Sequence, residues 1–289
     1  MIGNESWNKN NENSTVEIYA QDIIDFSKAM KAVDPSILVI PNGDSDEFFK
    51  TVINKAGNYI DRLCVSNYGV FDFNAGYESY RDTTRCLIWP AQTALNAMNK
   101  YATQEQLDKW KLIVAEYGTI DWAGLWHGTN DMGHAIVNFD MTGQLLLEPQ
   151  IEFSCFWNTR WLNNEEYPQT DHDAVDSNGN INPTGYSLLI WNKFMGDKMI
   201  KSESMGAIIS YASYSPHENR LFVYFINKGE REENVNLIIP NKAAAKIVQC
   251  WEYFGKDDKD VAPIWQQKRV EGLEFDLKKY SITVAEYLL

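Results

Sequence analysis

The sequence predicts an α/β fold, the C-terminal half of a (β/α)8 TIM barrel followed by an all-β sandwich. Two observations predict it. From residue 1 to 203, apolar runs of strand length alternate with segments of helical periodicity, which is the pattern of parallel βα units. From residue 204 to 289, short β-rich runs follow one another with turn residues between them, which is typical of a sandwich. We therefore expect two domains with these bounds.

The first domain is expected to contain four complete strands in strand-like runs, of which the first is continuously apolar, as a buried parallel strand should be. These runs are 37–40, 63–66, 112–115 and 151–156. Apolar residues at three- and four-residue spacing predict helices at 15–32, 48–56, 90–101, 104–110, 131–147 and 183–196. Residues 2–5 supply the tip of one more strand. A complete barrel has eight such units, so this count predicts the part of a barrel from the tip of strand four to helix eight.

The second domain is expected to consist of short strands joined by tight turns. Five β-rich runs lie at 208–211, 221–226, 235–239, 246–251 and 282–287. Asn227-Lys228-Gly229 and Pro240-Asn241 are turn signals between them. A sandwich of about six to eight strands follows from this spacing.

Composition limits the classes of partner. Across 289 residues, 26 Lys and Arg stand against 40 Asp and Glu, for a net charge of −14. This charge argues against nucleic acid as a partner and disfavours anionic membranes. No apolar run reaches 18 residues, so no transmembrane helix is predicted, and no signal peptide begins at Met1. Cys64 and Cys155 fall in apolar runs and no Cys-x-x-Cys pair is present, so buried free thiols are expected.

Two glutamates stand where a predicted strand ends and a loop begins. Glu5 follows the run Ile2-Gly3-Asn4, and Glu116 follows the run 112–115. Catalytic groups of a (β/α)8 barrel stand at the C-terminal ends of its strands, so both positions suit catalysis. Cleavage of a glycosidic bond needs such a pair, one carboxyl to donate a proton and one to attack the sugar or position a water. For a retaining reaction we expect the two carboxyl groups about 5–5.5 Å apart.

Three motifs together resemble the retaining glycoside hydrolases of clan A: Ile2-Gly3-Asn4-Glu5, Tyr68 after a strand, and Ala115-Glu116-Tyr117-Gly118. In that clan the acid/base glutamate follows an asparagine at the end of strand four, and the nucleophile ends strand seven. Within the clan, the chain is most similar to glycoside hydrolase family 86, the β-agarases and β-porphyranases. The stretches that carry this resemblance are 66–71 with 76–77, 117–123 and 156–161.

The resemblance covers the whole chain and implies an endo-acting hydrolase of a β-linked red-algal galactan, agarose or porphyran. It assigns Glu5 as the acid/base and Glu116 as the nucleophile. Asn4 is expected to hydrogen-bond the sugar hydroxyl next to the reacting carbon, and Tyr68 is expected to donate to Glu116 and hold it ionised. The resemblance also implies secretion, or a periplasmic or cell-surface location.

Substrate binding is expected from two further loops that face the cleft of a barrel, one after Glu116 and one after the last strand. Their candidate residues are Trp122, Trp126, His127, Trp157, Asn158 and Arg160. Trp126 and Trp157 are candidates for stacking under sugar rings, since an indole offers a large flat contact. Arg160 is a candidate for binding a hydroxyl or a sulfate, or for pairing with an acidic side chain.

No metal site or cofactor is expected. No His-Glu-x-x-His motif is present, and the polar run 171–180 has its glycine in the wrong place for an EF-hand loop. Two alternatives remain open: another clan A glycosidase such as an α-L-arabinofuranosidase, or an inactive truncated carbohydrate-binding fragment, because half a barrel leaves open sheet edges. The choice between agarose and porphyran and the oligomeric state also remain open.

Overall fold

The computed structural model describes residues 1–8, 15–70, 76–119, 130–160, 173–240 and 245–289. The helices are α1 (Val16–Val33), α2 (Asp46–Ala56), α3 (Tyr77–Arg81), α4 (Trp89–Tyr101), α5 (Gln104–Lys109), α6 (Met132–Leu146) and α7 (Pro183–Phe194). The strands are β1 (Leu63–Asn67), β2 (Leu112–Tyr117), β3 (Ile151–Phe156), β4 (Lys198–Ile200), β5 (Ile208–Ser215), β6 (Arg220–Asn227), β7 (Glu233–Asn236), β8 (Lys246–Phe254), β9 (Ile264–Gln267), β10 (Glu274–Leu277) and β11 (Ser281–Leu288).

The chain divides into two compact units, and both are discontinuous in sequence. The first unit comprises Met1–Gly69, Cys86–Gly118 and Glu148–Phe156, and the second comprises Val70–Arg85, Thr119–Leu147 and Trp157–Leu289. The division between domains at residues 203 and 204 stays a prediction. Within the described ranges there is a parallel sheet but no closed barrel, so the half-barrel also stays a prediction.

The first unit contains a parallel sheet in the order β1-β2-β3. Leu112 of β2 pairs with Leu63 on one side and with Ile151 on the other. Two single parallel bridges extend the sheet beyond β1, between Asn42 and Cys64 and between Ile2 and Pro41. The carboxyl ends of all these segments therefore lie at one edge of the sheet.

The predicted strand at 37–40 is wrong as a regular strand, because only the two residues after it form bridges. Two features explain the shortfall. The N–H of Val39 donates to the Asp61 carboxylate at 2.8 Å instead of to a neighbouring strand. Pro41 has no N–H to donate. The other three predicted strands of this region, and all six predicted helices, begin and end within two residues of their predicted bounds.

Helix ends in the first unit follow local rules of capping. The Thr15 side chain accepts from the N–H of Ile18 at 3.3 Å and begins α1. Helix α5 begins with a capping box, in which Thr103 and Gln106 each accept the other's backbone N–H. The apolar face that periodicity predicts for α1 is only partly buried: Tyr19 and Ile23 lie inside, whereas Ile18, Phe26 and Met30 are 49%, 53% and 38% exposed. Helix α2 buries Phe49, Val52 and Ile53.

Strand β3 is more exposed than the sequence predicted. Among the described residues it pairs only with β2, so it lies at an edge of the sheet. Phe153 is 51% exposed, and Cys155 is exposed as well. The expectation of a buried thiol is therefore wrong for Cys155 and right for Cys64, and the described cysteines are all free.

The second unit contains two antiparallel sheets that enclose an apolar core. Six strands have the order β4-β5-β6-β11-β8-β9, and β10 pairs with β7 in a separate two-stranded sheet. The side chains between them include Val223, Phe225, Cys250, Phe275, Leu277, Ala285 and Tyr287. The predicted run at 235–239 is shifted to Glu233–Asn236, while β4, β9, β10 and the short helix α3 have no predicted counterpart.

Helices α6 and α7 pack against the other face of the six-stranded sheet. The ring of Phe139 in α6 stacks on that of Trp191 in α7 with centroids 4.6 Å apart, and Trp191 lies 4.4 Å from the ring of Tyr224 in β6. Within the part of the chain that the structure describes, no helix has the length and apolar character needed to cross a bilayer.

Candidate active site

Glu116 lies inside β2, one residue before its end, at an irregular point of the sheet. Val114 pairs with Val65 of β1, but Glu116 pairs with Ser66, so Ala115 is an extra residue in β2. The register between β2 and β3 shifts in the same stretch. Such a bulge turns the next side chain away from simple alternation and is common beside active sites. The sequence located Glu116 but not the bulge that sets its direction.

Tyr68 stands directly after β1 and contacts Glu116. Its hydroxyl donates to Oε2 of the Glu116 carboxylate at 2.8 Å. The two side chains meet because β1 and β2 are parallel neighbours whose carboxyl ends share one edge. The hydrogen bond that the sequence predicted between these residues is present.

The residues on either side of Tyr68 hold its backbone in place. Asn67 is fully buried, donates through Nδ2 to the carbonyl of Leu87 at 3.1 Å, and accepts from the N–H of Ala91 at 3.4 Å. A Cβ on Gly69 would overlap the carbonyl of Leu87, so only glycine fits there. Sequence reasoning did not assign Asn67 a role, and its one signal is a polar residue at the end of an apolar strand.

The electrostatics of this pair suit a carboxylate held by a neutral donor. Burial raises the pKa of Glu116, and the negative charge of Glu5 raises it further, while the hydrogen bond from Tyr68 opposes both. Burial and the charge of Glu116 raise the pKa of Tyr68 far above its ordinary value, so Tyr68 stays protonated as a donor. The charge of Glu5 acts on both groups, which places Glu5 within electrostatic reach of Glu116.

Glu5 occupies a tight turn after the bridge at Ile2. The N–H of Ile2 donates to the carbonyl of Ile40 at 2.9 Å, which fixes the start of the turn. Gly3 has a φ of +70° and Glu5 a φ of +44°, so the backbone enters the left-handed region twice within three residues. That region is uncommon for a residue with a Cβ. Asn4 lies between them and is exposed.

The remaining predicted site residues fall into two groups. Trp157, Asn158 and Arg160 follow β3 in the chain and belong to the second unit; Trp157 and Asn158 are partly buried and Arg160 is exposed. Their segment is anchored where the N–H of Ala174 donates to the carbonyl of Asn158 at 3.0 Å. Trp122, Trp126 and His127 lie outside the described residues. Their roles stay predictions.

No grouping of three or more His, Cys, Asp or Glu side chains suited to a metal ion occurs in the ranges that the structure describes. The groups that act on Glu116 are the Tyr68 phenol, which donates to it, and the Glu5 carboxyl, whose charge raises its pKa. Asn42, whose buried side chain hydrogen-bonds the backbone of the Glu5 turn, was also not predicted, because Pro41-Asn42-Gly43 looks like an ordinary turn in the sequence.

Comparisons with known proteins place the fold. No protein-family model matches the sequence, and a search of curated protein sequences gives no match.

Three similar solved structures are two α-L-arabinofuranosidases and an endoglucanase. The arabinofuranosidase of Thermotoga maritima is 18% identical with a TM-score of 0.78, over 100% of this chain and 65% of that chain. The family 51 arabinofuranosidase of Bifidobacterium longum is 13% identical with a TM-score of 0.72, over 100% and 67%. The family 44 endoglucanase of Clostridium thermocellum is 16% identical with a TM-score of 0.62, over 96% and 62%.

These neighbours are clan A glycoside hydrolases. At such identities the likeness shows the fold, so this chain has the fold of the matching part of clan A glycosidases. The chain spans about 65% of the length of the Thermotoga maritima structure. None of the three neighbours is a family 86 protein, and the resemblance to that family stays a prediction.

Proposed function

We propose that the protein is a retaining glycoside hydrolase in which Glu116 is the nucleophile and Glu5 is the acid/base. One observation carries the proposal: Tyr68 donates to Glu116 at 2.8 Å at the carboxyl end of a parallel strand, with Glu5 in electrostatic reach. A tyrosine donor stabilises the ionised form of a carboxylate, and an ionised carboxylate is what a nucleophile requires.

The reaction follows from the two roles. The Glu116 carboxylate attacks the anomeric carbon while the glycosidic C–O bond breaks. The electron pair of the broken bond leaves with the departing oxygen. Glu5 gives that oxygen a proton. In the second step the Glu5 carboxylate takes a proton from water, whose oxygen attacks the same carbon and releases Glu116. The protein ends unchanged, and the sugar keeps its configuration.

We propose a β-linked red-algal galactan, agarose or porphyran, as the substrate, cleaved within the chain. The support is the resemblance of residues 66–71, 117–123 and 156–161 to family 86. Asn4 follows the same pattern and would contact the hydroxyl beside the reacting carbon. Trp126 and Trp157 would stack on sugar rings, and Arg160 would bind a hydroxyl or a sulfate. Trp122, His127 and Asn158 would complete the polar lining of the cleft.

A second candidate substrate is an α-L-arabinofuranoside. The observation that favours it is the likeness in fold to arabinofuranosidases over the full length of this chain. A non-catalytic carbohydrate-binding role is the third candidate, in which the same carboxylates would contact a glycan that is not cleaved.

The test is sugar release from agarose, porphyran and arabinan by the full chain beside Glu116→Gln and Glu5→Gln. Glu105→Gln is the control, because Glu105 lies on the exposed surface of α5 and its carboxylate pairs with Lys109. Cleavage that disappears in Glu116→Gln and survives in Glu105→Gln supports the proposal and identifies the sugar. Cleavage that survives in Glu116→Gln refutes the nucleophile, and binding without cleavage by the unaltered chain favours the third candidate.

A further inference from the structure

Asn42 is a buried amide whose hydrogen bonds reach back to the start of the chain. It is 1% exposed and directly follows Pro41, which bridges Ile2. Its Oδ1 accepts from the N–H of Ser6 at 2.8 Å. Its Nδ2 donates to the carbonyls of Ile2 at 3.0 Å and Gly3 at 3.1 Å. Both ends of the amide are therefore committed to one short segment.

That segment is the turn that carries Glu5. The bonds to Ile2 and Gly3 lie before Glu5, and the bond from Ser6 lies directly after it. Because Glu5 has a φ of +44°, its backbone is in a region that a residue with a side chain rarely adopts unaided. Contacts from outside the turn must hold it there, and Asn42 supplies them on both sides.

Tyr19 of α1 reinforces the same turn. Its hydroxyl donates to the carbonyl of Ile2 at 2.6 Å and accepts from the N–H of Asn42 at 3.0 Å. Burial raises the pKa of Tyr19 to about 12, so the hydroxyl keeps its proton at neutral pH. Asn42 is thus fixed by its own backbone as well as by its side chain.

We propose that Asn42 is a positioning residue that holds the Glu5 turn so that the Glu5 carboxyl faces the substrate beside Glu116. This inference rests on the proposed function and adds to it a residue outside the reacting pair. An amide suits the position because it offers a donor to two carbonyls and an acceptor to one N–H from the same side chain. A carboxylate there would face two carbonyl oxygens with no donor, and an apolar side chain would leave those polar groups unpaired.

The first experiment separates acid catalysis from general damage. Aryl glycosides of the sugar that the chain cleaves are compared, one with a dinitrophenol leaving group and one with an unactivated phenol. An activated phenolate leaves without a proton, whereas the unactivated one needs Glu5. Asn42→Ala is expected to lower kcat/KM on the unactivated substrate at least about tenfold, toward the 10²–10⁴-fold range of general acid catalysis, and to change the activated substrate little.

The matched control is Ser27→Ala. Ser27 also lies in the first unit and is 1% exposed, and its hydroxyl donates to the carbonyl of Tyr59 at 2.8 Å. Removing this hydroxyl deletes one hydrogen bond of a buried side chain, 22 residues along the chain from Glu5. Ser27→Ala is expected to lower the melting temperature with no difference between the two substrates. An equal loss on both substrates in Asn42→Ala overturns the proposal, because Asn42 would then act only on folding.

The second experiment does not need activity. The carboxyl carbon of Glu116 is titrated by NMR in four proteins: the unaltered chain, Glu5→Gln, Asn42→Ala and the double variant. Glu5→Gln is expected to lower the pKa of Glu116, and this shift is expected to shrink by at least half when Asn42 is alanine. An undiminished shift overturns the proposal even if no glycoside is cleaved. If Asn42→Ala does not fold, Tyr19→Phe takes its place, since it removes only the hydroxyl that fixes Asn42 and Ile2.

Discussion

Replacing Tyr68 with phenylalanine tests the link between the structure of the site and its acid–base behaviour. The change deletes one hydrogen bond, the 2.8 Å contact to Oε2 of Glu116, and keeps the ring. A hydrogen bond to a charged group contributes about 1.5–3 kcal/mol. One pKa unit corresponds to about 1.36 kcal/mol, so full loss would raise the pKa of Glu116 by about 1–2 units. Glu116 is only partly buried and water can replace the donor, so we expect the lower end, about one unit.

The sign of the effect is fixed by which form the tyrosine stabilises. Tyr68 donates to the ionised carboxylate, so its loss favours the protonated form and raises the pKa. A protonated Glu116 cannot attack, so activity at low pH falls. The acid limb of kcat/KM against pH is expected to move upward by about one unit, which means about tenfold lower activity below the limb and little change above it.

The assay is a pH profile of kcat/KM on a chromogenic glycoside, together with NMR titration of the Glu116 carboxyl. The titration is needed because two coupled carboxyl groups give apparent pKa values that belong to the pair. Tyr59→Phe is the control, since Tyr59 precedes β1 and lies at the opposite end of the strands from Glu116. An acid limb that stays in place, or moves to lower pH, would refute the assignment of Tyr68 as the donor that holds Glu116 ionised.

Two further predictions concern close packing. Gly69→Ala would drive a Cβ into the carbonyl of Leu87 and displace Tyr68. We therefore expect the acid limb of kcat/KM to shift upward as in Tyr68→Phe, and no further when the two changes are combined. A larger shift in the double variant would contradict this. Gly143→Ala in α6 would put a Cβ 2.6–2.8 Å from ring atoms of Tyr211. We expect the free energy of unfolding, measured with urea, to fall by about 1–3 kcal/mol. This loss exceeds the gain of up to about 1 kcal/mol that alanine brings through its helix propensity. Gly229→Ala is the control for both, because its nearest neighbour would be 3.4 Å away; a Gly143→Ala protein as stable as the control would show that the ring moves freely.

The periodicity of the chain predicted most elements of the described fold, because apolar spacing and the capping residues Thr15, Thr103 and Asp131 are local signals that the sequence itself carries. Apolar runs predicted β1 and β2 because a buried parallel strand needs apolar side chains on both faces, and the run at 151–156 predicted β3 although that strand is exposed. The run at 37–40 has the same composition and does not form a regular strand. The N–H of Val39 donates to the side chain of Asp61, and Pro41 has no N–H to donate. The Asp61 partner cannot be predicted from the run itself.

Burial was harder to predict than secondary structure. Cys155 lies in an apolar run and is exposed, because β3 pairs on one side only among the described residues. The reverse case is Asp140, a charged residue that α6 buries completely. Hydroxyls of Tyr80 and Tyr211 donate to it, and burial raises its pKa. Those donors come from α3 and β5, so only the tertiary structure brings them to Asp140.

In the candidate site, too, features that depend on contacts between distant segments could not be predicted from the sequence. The hydrogen bond between Tyr68 and Glu116 could be predicted, because each residue stands near the end of an apolar run, while the chemical roles of Glu5, Glu116 and Tyr68 stay predictions. The bulge at Ala115 could not, since it depends on a register between neighbouring strands. Asn42 could not either, because its bonds reach residues that precede it by 36 to 40 positions.

The order of the segments explains why each glutamate has its own supporting residue. Ile2 pairs with Pro41, Asn42 pairs with Cys64, and β1 pairs with β2, so two segments lie between the one that carries Glu5 and the one that carries Glu116. The segment beside the Glu5 turn contributes Asn42, and the segment beside β2 contributes Tyr68. Each intervening segment thus supports the glutamate next to it, one through the backbone of a turn and the other through a direct bond to the carboxylate. In the proposed reaction, the first kind of support would fix where the proton donor stands and the second would fix the charge of the nucleophile, which are the two separate requirements of a double displacement.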